Sequence, residues 1–562
     1  MNSQDLEPEN EPAVLVLTRR ARRRLFGTGL TLLALLGLPY VLPPLADVRP
    51  WVPGAGYVPF WNVVERPRLE RQESEQKEVQ AQLADFEQIA IAAEAPEEPS
   101  APARGAPAVV AAAVHDVEPP SEASVEARAF PAYAGHPDDD EKVGTPIENP
   151  GALAQYFGQL TLTDLKRAGA ITRAGQWGDS VLGGDGLTFA LRKRLQQRFG
   201  DAGHGFHALS RYGVGYMHRG VRFQDRGGWR SCEIIFHCRQ PEDRYGYAGV
   251  HSGSIGGGSS LWQTAKEPPG DQVSRFELWY AKSPDGGRFQ VDIDGRAARV
   301  IETRAPGLDD AVEVFEVPDG PHTFEVRAAG GGTARGYGVV LERDVPGVVW
   351  DELSLIGSFT QRLDYQDAEH LAWQLERRGI DLMVFMFGGN DVQREQGDLK
   401  NDMAAYEREY TRVVRKFKAG RPAASCMILS LIDHGVRIDG AVRTRGIVPR
   451  LVSSQRKVAL EQGCAFFDTF TAMGGVNSFA RWLRARPQLG APDLAHPTLA
   501  GQGVIATLLY RALMREYATY RRANVGAPLP ELDAAQGEAQ GEAAQGKATE
   551  PMAADAGAPP SR

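Results

Sequence analysis

The chain is poor in cysteine: only four of its 562 residues are cysteines. This count excludes a disulfide-dense scaffold in a chain of this length. No CxxC pair occurs, which removes the usual sequence sign of a zinc site. Cys426 and Cys464 lie in strand-like apolar runs, so we expect buried, small apolar side chains there. Cys232 and Cys238 could pair only if the chain between them turned back.

The chain also lacks an excess of positive charge. Its 63 lysines and arginines face 72 aspartates and glutamates, for a net charge of −9. A nucleic-acid partner therefore has no electrostatic support. The glycine-rich stretch GVHSGSIGGGSS, residues 249–260, lacks the Gly-Lys-Ser/Thr of a phosphate-binding loop and predicts a flexible loop. No internal repeat is visible.

The first informative segment is N-terminal. A basic stretch ending in RRARRR, within residues 1–24, precedes a mostly apolar run over residues 25–46. The run is close to the length that spans a bilayer. Arginines before it predict a cytoplasmic N-terminus and an exported body. Because no clean small-x-small cleavage site follows, we favour an uncleaved transmembrane signal anchor over a removed signal peptide.

Two segments have a composition that cannot bury enough apolar surface to fold. Residues 47–148 are rich in alanine, proline and glutamate and predict a disordered linker, with one possible helix over residues 68–93. Residues 521–562 predict a similar disordered tail. The linker would hold the body of the protein away from a membrane.

The body between these segments has two patterns. Residues 149–215 and 346–520 alternate helical periodicity with short apolar strands, as in DAEHLAWQLERRGI followed by DLMVFMFGG. This alternation predicts an α/β domain with a parallel sheet covered by helices. Residues 216–345 contain short alternating runs split by Gly, Asp and Pro, which predict an inserted antiparallel β-sandwich.

The stretch AGQWGDS ends in Ser180, where a strand is expected to give way to a helix. Ser180 is either a nucleophile at the carboxyl end of the sheet or a turn residue that caps the helix. In DLAHPTLAGQG, Asp493 lies three residues before His496. The aspartate could orient the imidazole while His496 accepts the serine proton. As an isolated pair, the same residues could equally belong to an ordinary loop or to a metal site.

Two further stretches could supply oxyanion donors. Asn390 follows the apolar strand in VFMFGGNDV, and a side-chain amide there is a neutral donor. Gly357 follows the apolar strand in VVWDELSLIGS, where a glycine lets a backbone N–H approach a ligand closely. Either stretch could also be an ordinary turn.

Taken together, Ser180, Gly357, Asn390 and His496 occur in the order and the sequence contexts of the SGNH, or GDSL-like, hydrolase family. The chain resembles that family over residues 150–520, interrupted by the inserted module. The resemblance implies an α/β, flavodoxin-like, three-layer domain around a parallel sheet.

The resemblance also implies roles. Ser180 is the nucleophile and donates its N–H to the oxyanion, and the Gly357 N–H and the Asn390 side chain complete the oxyanion hole. His496 is the general base, oriented by Asp493. The resemblance implies no metal and no organic cofactor.

A narrower resemblance concerns residues 466–503 and FGDAGHGF at residues 199–206, which look like bacterial peptidoglycan O-acetylesterases. Those enzymes carry an inserted β-sandwich, similar to a carbohydrate-binding module, in the same place. The implied activity is a serine-dependent O-acetylesterase acting on a cell-envelope glycan, with O-acetylated peptidoglycan as the leading substrate. Val181 stands where relatives often have histidine, which weakens the transfer of substrate identity. A polysaccharide O-acetyltransferase and a non-catalytic glycan-binding protein remain alternatives.

Two further groups of residues are candidates for binding roles. Among the aromatic residues of the inserted module, Trp262 is the best candidate for a glycan platform, whereas Trp279 is expected in the core. His204, His207 and His218 lack a carboxylate or cysteine at matched spacing, so we expect loop or pocket-rim residues rather than a metal site.

Overall fold

The computed structural model describes residues 51–52, 56–57, 128–213, 215–236, 242–396 and 402–532. The predicted membrane anchor at residues 25–46 and the possible helix at residues 68–93 lie outside the described residues. Among the residues that are described, no helix combines the length and the apolar character needed to cross a membrane. The chain divides into two units, residues 1–100 and 101–562. In the first, Trp51–Val52 (β1) pairs antiparallel with Gly56–Tyr57 (β2).

The second unit contains the remaining elements. Its strands are Ile171–Gly178 (β3), Gly203–Ala208 (β4), Val221–Asp225 (β5), Arg230–Glu233 (β6), Val250–Ser254 (β7), Ser259–Thr264 (β8), Val273–Lys282 (β9), Arg288–Ile293 (β10), Arg296–Glu302 (β11), Asp309–Gly320 (β12), Thr323–Ala328 (β13), Ala334–Glu342 (β14), Gly347–Ser354 (β15), Leu382–Met386 (β16), Ser425–Leu429 (β17), Gly435–Ile438 (β18), Ala441–Thr444 (β19) and Ala465–Phe467 (β20). Its α-helices are Ala154–Asp164 (α1), Gly186–Phe199 (α2), Ala368–Arg378 (α3), Met403–Gly420 (α4), Ile447–Glu461 (α5), Thr469–Ala472 (α6), Ser478–Trp482 (α7) and Leu499–Ala523 (α8). Short 3-10 helices are Pro137–Asp140, Pro150–Leu153, Ile234–Phe236, Thr360–Tyr365 and Asp391–Gln396.

A five-stranded parallel sheet forms the centre of this unit, as the alternating pattern predicts. Its strands lie in the order β15-β3-β16-β17-β20, and every neighbouring pair is parallel. In chain order this is 2-1-3-4-5, the order of flavodoxin-type doubly wound sheets. The order reverses between β3 and β16, and ligands of such sheets bind beyond the carboxyl ends of the strands at that point.

Both faces of the parallel sheet are buried. On β16, Met383 and Phe385 belong to one apolar cluster, whereas Leu382, Val384 and Met386 belong to another. The alternation follows from the two-residue period of a strand. Because both faces are covered, the strand is a continuous apolar run rather than an alternating one.

Helices from different parts of the chain cover each face. Helices α3, α4 and α5 contribute Leu375, Phe417 and Leu451 to the cluster that contains Phe385. Helices α1, α2 and α8 contribute Leu160, Leu191 and Leu513 to the other. The predicted helix over DAEHLAWQLERRGI is confirmed as α3, and α4 covers the same face of the sheet. Their amino ends are capped by the side chains of Asp367 and Asp402.

The segment between β4 and β15 forms two antiparallel sheets. One has the order β11-β10-β13-β8-β5 and the other β12-β9-β14-β7-β6, with β4 pairing with β14. An apolar cluster lies between them and includes Leu278 and Tyr280 of β9. The alternate residues of the same strand, Trp279 and Ala281, belong to the cluster on the parallel sheet. One sheet of the inserted module is therefore buried on both faces.

Several expectations from the sequence are wrong. Cys426 and Cys464 are not free apolar side chains but form a disulfide. The apolar sequence around each cysteine did not indicate that β17 and β20 are adjacent, parallel strands. Cys232 is disulfide-bonded as well, and Cys238 lies outside the described residues.

The boundaries also differ. Residues 128–148 were assigned to the disordered linker, yet Phe130 and Ile147 are buried. Helix α8 runs to Ala523, and Leu529 N donates to the carbonyl of Arg128 beyond it. The glycine-rich stretch at residues 249–260 is not a flexible loop, because most of it lies in strands β7 and β8. Packing against the domain stabilises segments whose composition alone does not predict order.

Candidate active site

Ser180 lies just beyond the carboxyl end of β3, at the point where the strand order reverses. It is followed by tight turns, in which Gly183 N donates to Ser180 O. Helix α2 begins only at Gly186, and its N-cap residue is Asp185. The expectation that Ser180 opens the helix, or caps it, is therefore wrong. The side chain is held on a turn at the edge of the sheet.

The structure brings Ser180 and His496 together. Ser180 Oγ lies 2.8 Å from His496 Nε2. The other ring nitrogen, Nδ1, lies 2.8 Å from Asp493 Oδ2. With a proton on Nδ1, the ring donates to the carboxylate, and Nε2 is left to accept from the serine hydroxyl. The geometry is that of a nucleophile, a base and an orienting acid.

The loop that carries Asp493 and His496 is constrained by its backbone. Asp493 Oδ1 accepts from the N–H groups of Ala495 and His496, at 2.9 and 3.0 Å. Partial burial alone would raise the pKa of Asp493, but these two N–H groups and the His496 ring outweigh it and hold the pKa of the carboxyl below its usual range. Asp493 is therefore ionised at neutral pH and can stabilise a protonated imidazole.

Leu494, between the acid and the base, adopts a left-handed conformation with φ of 65°. A non-glycine residue rarely adopts this conformation without support from its surroundings. Here the support comes from the hairpin β18–β19, because Gly435 N donates to Leu494 O at 2.7 Å. The hairpin thus helps to hold the Asp493–His496 loop in place.

The two predicted oxyanion donors follow the strands on either side of β3. Gly357 follows β15 with φ of 86°, a conformation that favours glycine. Asn390 follows β16, and one N–H of its amide donates to Ser358 O at 3.0 Å. This bond fixes the orientation of the amide and leaves its second N–H for a ligand.

One pocket of about 330 Å³ contains all five of these residues in its lining. Ser180, Gly357, Asn390, Asp493 and His496 line it together with Ile356, Gln393, His434, Arg445 and Leu494. His496 and Asp493 keep 44% and 51% of their side-chain surface exposed, so the base side of the pocket is open to solvent. An ester on a large molecule can therefore reach the serine.

Sequence reasoning missed two pocket residues. Asp179, directly before Ser180, is buried and accepts from Val181 N at 3.0 Å and from Gly389 N at 2.9 Å. Burial raises its pKa to about 6 against the effect of these two bonds. Its place in the GDS triplet was the only available signal.

His434 follows β17 and is nearly buried at the pocket wall. Burial, together with the charges of His496 and Arg445, lowers its pKa to about 4. It is therefore neutral at physiological pH and can offer a hydrogen bond to a ligand without carrying charge. A single histidine in SLIDHG gave no pattern from which this position could be predicted.

Two other sequence expectations are wrong. Trp262 is fully buried in the core of the inserted module, stacked on Phe223 with ring centroids 5.2 Å apart, so it is not an exposed glycan platform. Its position on β8 points it between the two sheets. His204 and His207 are not loop residues but lie on β4, whereas His218 lies in the connection from β4 to β5. All three are buried, and none lines the Ser180 pocket. Trp279 is in the core, as expected.

One of three solved structures that are similar to this chain supports the fold. A structure described as a peptidoglycan O-acetylesterase in action is similar over 65% of this chain and 96% of its own, with a TM-score of 0.54 and 21% identity. An acetylxylan esterase mutant from Geobacillus stearothermophilus, at 22% identity, covers 30% of this chain and 73% of its own, with a TM-score of 0.23. A salicylyl-acyltransferase from a tetracycline biosynthetic pathway, at 16% identity, covers 52% and 94%, with a TM-score of 0.24.

No curated protein sequence matches this chain. Residues 320–504 match the GDSL-like lipase/acylhydrolase family. The match contains Gly357, Asn390, Asp493 and His496, whereas Ser180 lies before it, on the far side of the inserted module. Residues 320–504 therefore belong to the GDSL-like (SGNH) lipase/acylhydrolase family of ester hydrolases, and the fold brings Ser180 to His496 of that region.

Proposed function

We propose that this protein is a serine-dependent carbohydrate O-acetylesterase that acts on a cell-envelope glycan, with O-acetylated peptidoglycan as the leading substrate. The observation that carries the proposal is the hydrogen-bonded series Ser180–His496–Asp493 in an open pocket at the switch point of the sheet. The fold shared with a peptidoglycan O-acetylesterase supports the choice of substrate.

In the first half of the reaction, Ser180 Oγ attacks the carbonyl carbon of the acetyl ester while its proton passes to His496 Nε2. The carbonyl oxygen becomes an oxyanion, to which Ser180 N–H, Gly357 N–H and the Asn390 amide donate. Asp493 stabilises the imidazolium through Nδ1–H. When the C–O bond to the sugar breaks, the sugar oxygen takes the proton from Nε2, and an acetyl-serine remains.

In the second half, a water molecule takes the place of the sugar. His496 Nε2 accepts a proton from the water as its oxygen attacks the acetyl carbon. The second tetrahedral intermediate collapses, Ser180 Oγ recovers the proton from the imidazolium, and acetate leaves. Neither half needs a metal or an organic cofactor at Ser180.

The shape of the pocket favours a small acyl group on a large alcohol. A pocket of about 330 Å³ is at the lower end of the range for small-molecule sites. Because Asp493 and His496 are half exposed, the alcohol side of the ester can extend into solvent. A glycan chain meets both conditions.

We also propose that the catalytic body is exported and held at the membrane by the apolar segment at residues 25–46. The disulfide between Cys426 and Cys464 supports an oxidising compartment, because cytosolic thiols are normally kept reduced. The charge pattern of the N-terminal residues supports a cytoplasmic N-terminus. Cell fractionation with protease digestion of intact spheroplasts tests this proposal: digestion of residues 128–532 from the outside is expected, and full protection would contradict it.

The activity is tested by incubating the full chain and its Ser180→Ala variant with O-acetylated peptidoglycan and measuring acetate. We expect release by the wild type alone. If the wild type cleaved an aryl acetate but left the glycan intact, the proposed role of Ser180 would hold and the proposed substrate would be wrong. If sugar acceptors gained acetyl groups and no free acetate appeared, the reaction would be transfer rather than hydrolysis.

A further inference from the structure

Three buried histidines meet between the parallel sheet and the inserted module. His204 and His207 lie on β4, and His218 lies in the connection from β4 to β5. One ring nitrogen of each lies within 4.8 Å of the others. His204 and His207 are only three residues apart in the sequence. The position of His218 beside them depends on how the chain turns between residues 208 and 218, which the fold sets.

A carboxylate from a distant strand faces the same cluster. Glu352 on β15 is 1% exposed, and within the described part of the chain neither of its carboxylate oxygens has a hydrogen-bond partner. Its Oε2 lies 3.7 Å from His218 Nε2. A buried carboxylate without a partner is costly, so this group either holds a proton or binds a cation that the protein atoms do not supply.

The hydrogen bonds of His204 suit a metal ligand. His204 Nε2 donates to the carbonyl of Arg219, which leaves Nδ1 as the nitrogen with a free lone pair. Ligating histidines typically donate their second N–H to a carbonyl or carboxylate in this way. His204 Nδ1 lies 2.8 Å from His207 Nε2. The two nitrogens therefore share one proton, and a cation could take the place of that proton.

We propose that His204, His207, His218 and Glu352 bind one Zn²⁺ ion. Three imidazole nitrogens and one carboxylate oxygen make a four-ligand set that zinc accepts in tetrahedral geometry. With Zn–N bonds of about 2.0–2.1 Å, two tetrahedral ligands lie about 3.3–3.4 Å apart, so the 2.8 Å nitrogen pair would open by about half an ångström, and nitrogens as far apart as 4.8 Å would close. On binding, zinc takes the place of the proton between His204 and His207, and that proton moves from His207 Nε2 to His207 Nδ1.

The nearest positive charge is already neutralised. The guanidinium of Arg192 lies 3.4 Å from His204 Nε2, but it forms a 2.7 Å ion pair with Asp185. Its remaining bonds go to the carbonyls of Trp350 and Arg219. Arg192 therefore limits how far the His204 ring can turn, while Glu352 supplies the charge that a divalent cation needs.

The proposed site is structural rather than catalytic. None of the four ligands lines the pocket of Ser180. The four residues join β4, β15 and the segment that leads into the inserted module, so a bound ion would fasten the module to the parallel sheet. The proposal goes beyond the esterase activity and does not depend on it.

The first experiment measures zinc in the full chain. Protein stripped with a chelator is exposed to limiting Zn²⁺ and desalted, and its metal content and thermal midpoint are recorded. We expect about one zinc per chain and a raised midpoint. His207→Gln and Glu352→Gln should each lower zinc affinity by at least about 100-fold, more than the 10–100-fold typical of residues that only support ligands.

Two control variants make the result specific. His251→Gln removes a buried histidine of the inserted module that has no hydrogen-bond partner among the described residues, and it should keep the zinc. His496→Gln removes the exposed histidine of the Ser180 pocket, where zinc could also bind, and it should keep it too. Replacing Zn²⁺ by Co²⁺ should give the absorption of a tetrahedral cobalt site in the wild type but not in Glu352→Gln.

The outcomes separate the proposal from its alternative. If wild-type protein retained no zinc and its midpoint were unchanged by zinc, the cluster would be a hydrogen-bonded histidine network with a protonated Glu352, and the proposal would be wrong. Loss of zinc in His496→Gln alone would also overturn it. Hydrolysis of an aryl acetate by the zinc-free protein bears on the esterase alone, so the two proposals can fail separately.

Discussion

Ser180 Oγ and His496 Nε2 form a 2.8 Å contact across a sequence separation of 316 residues. The inserted module accounts for much of that separation, yet both ends of the α/β domain meet at one edge of the sheet. The turn after β3 supplies the serine, and the loop before α8 supplies the histidine. The contact therefore depends on the whole parallel sheet being assembled around the insertion.

Removing either partner should abolish most of the hydrolysis. Ser180→Ala and His496→Gln should each lower kcat for an aryl acetate by about 10³-fold or more, because nucleophile and base act as one unit. The double variant should be little worse than the single ones. A stopped assay for acetate checks this, and losses that multiply in the double variant would contradict a shared step.

Asp493→Asn should lower kcat while leaving KM nearly unchanged, since Asp493 orients His496 and does not need to touch the substrate. We expect a loss below the roughly 10⁴-fold seen for a buried triad aspartate, because 51% of the Asp493 side chain is exposed. Steady-state kinetics measure both constants. An unchanged kcat would show that Asp493 has no orienting role.

Asn390→Ala should lower kcat by about 10²- to 10³-fold, the usual cost of removing one oxyanion donor. Gln393→Ala is the matched control, because Gln393 lines the same pocket without following the strand end. Its effect on kcat should stay below about tenfold. Equal losses in both variants would point to a damaged pocket instead of a lost donor.

Asp179→Asn should change how stability depends on pH. The Asp179 pKa is about 6 in the folded chain against 3.8 normally, so the folded state holds the proton over this interval and wild-type stability falls as pH rises. The 2.2-unit difference corresponds to about 3 kcal/mol. The free energy of unfolding of the variant minus that of the wild type should thus increase by about 2 kcal/mol between pH 4 and pH 6, and by about 3 kcal/mol from below about pH 3 to above about pH 7.

Urea unfolding across this pH range provides the measurement. Asp439→Asn serves as the control, since Asp439 is exposed at the tip of the β18–β19 hairpin. The difference between this control and the wild type should not vary with pH. A flat difference for Asp179→Asn as well would show that Asp179 is ionised throughout.

The disulfide between Cys426 and Cys464 should contribute measurably to stability. Its 38-residue separation gives about 4 kcal/mol by loop-closure entropy, and real losses are typically about 2–4 kcal/mol. Both cysteines are buried. A Cys426→Ala/Cys464→Ala double variant therefore removes the disulfide without placing a polar group in the core. Urea unfolding of oxidised wild type and variant compares them, and equal midpoints would contradict the prediction.

The secondary structure of the α/β domain was largely predictable. α4 has an apolar stripe that includes Tyr406, Val413 and Phe417, and Asp402 caps its start. β16 is an uninterrupted apolar run followed by glycines. These are local properties, and a local pattern of spacing and capping is sufficient to determine such elements.

The partners across the fold were not predictable in the same way. Nothing around Cys426 or Cys464 indicates that β17 lies beside β20, and nothing around Trp262 indicates that its side of β8 faces the second sheet. Glu352 and His434 carry no motif at all. Their roles arise from which strands are neighbours, and that depends on long-range packing.

By itself, the sequence determined the alternation of helices and strands, the β-rich insertion, and the residue types at the ends of the strands that meet at the site. Only the tertiary structure decided that Ser180 sits on a turn before α2, that Asp179 and His434 line the pocket, and that three histidines meet where Glu352 lies beside His218. The physical reason is that backbone periodicity and capping act between residues a few positions apart, whereas burial, hydrogen-bond partners and pKa values depend on side chains hundreds of positions away.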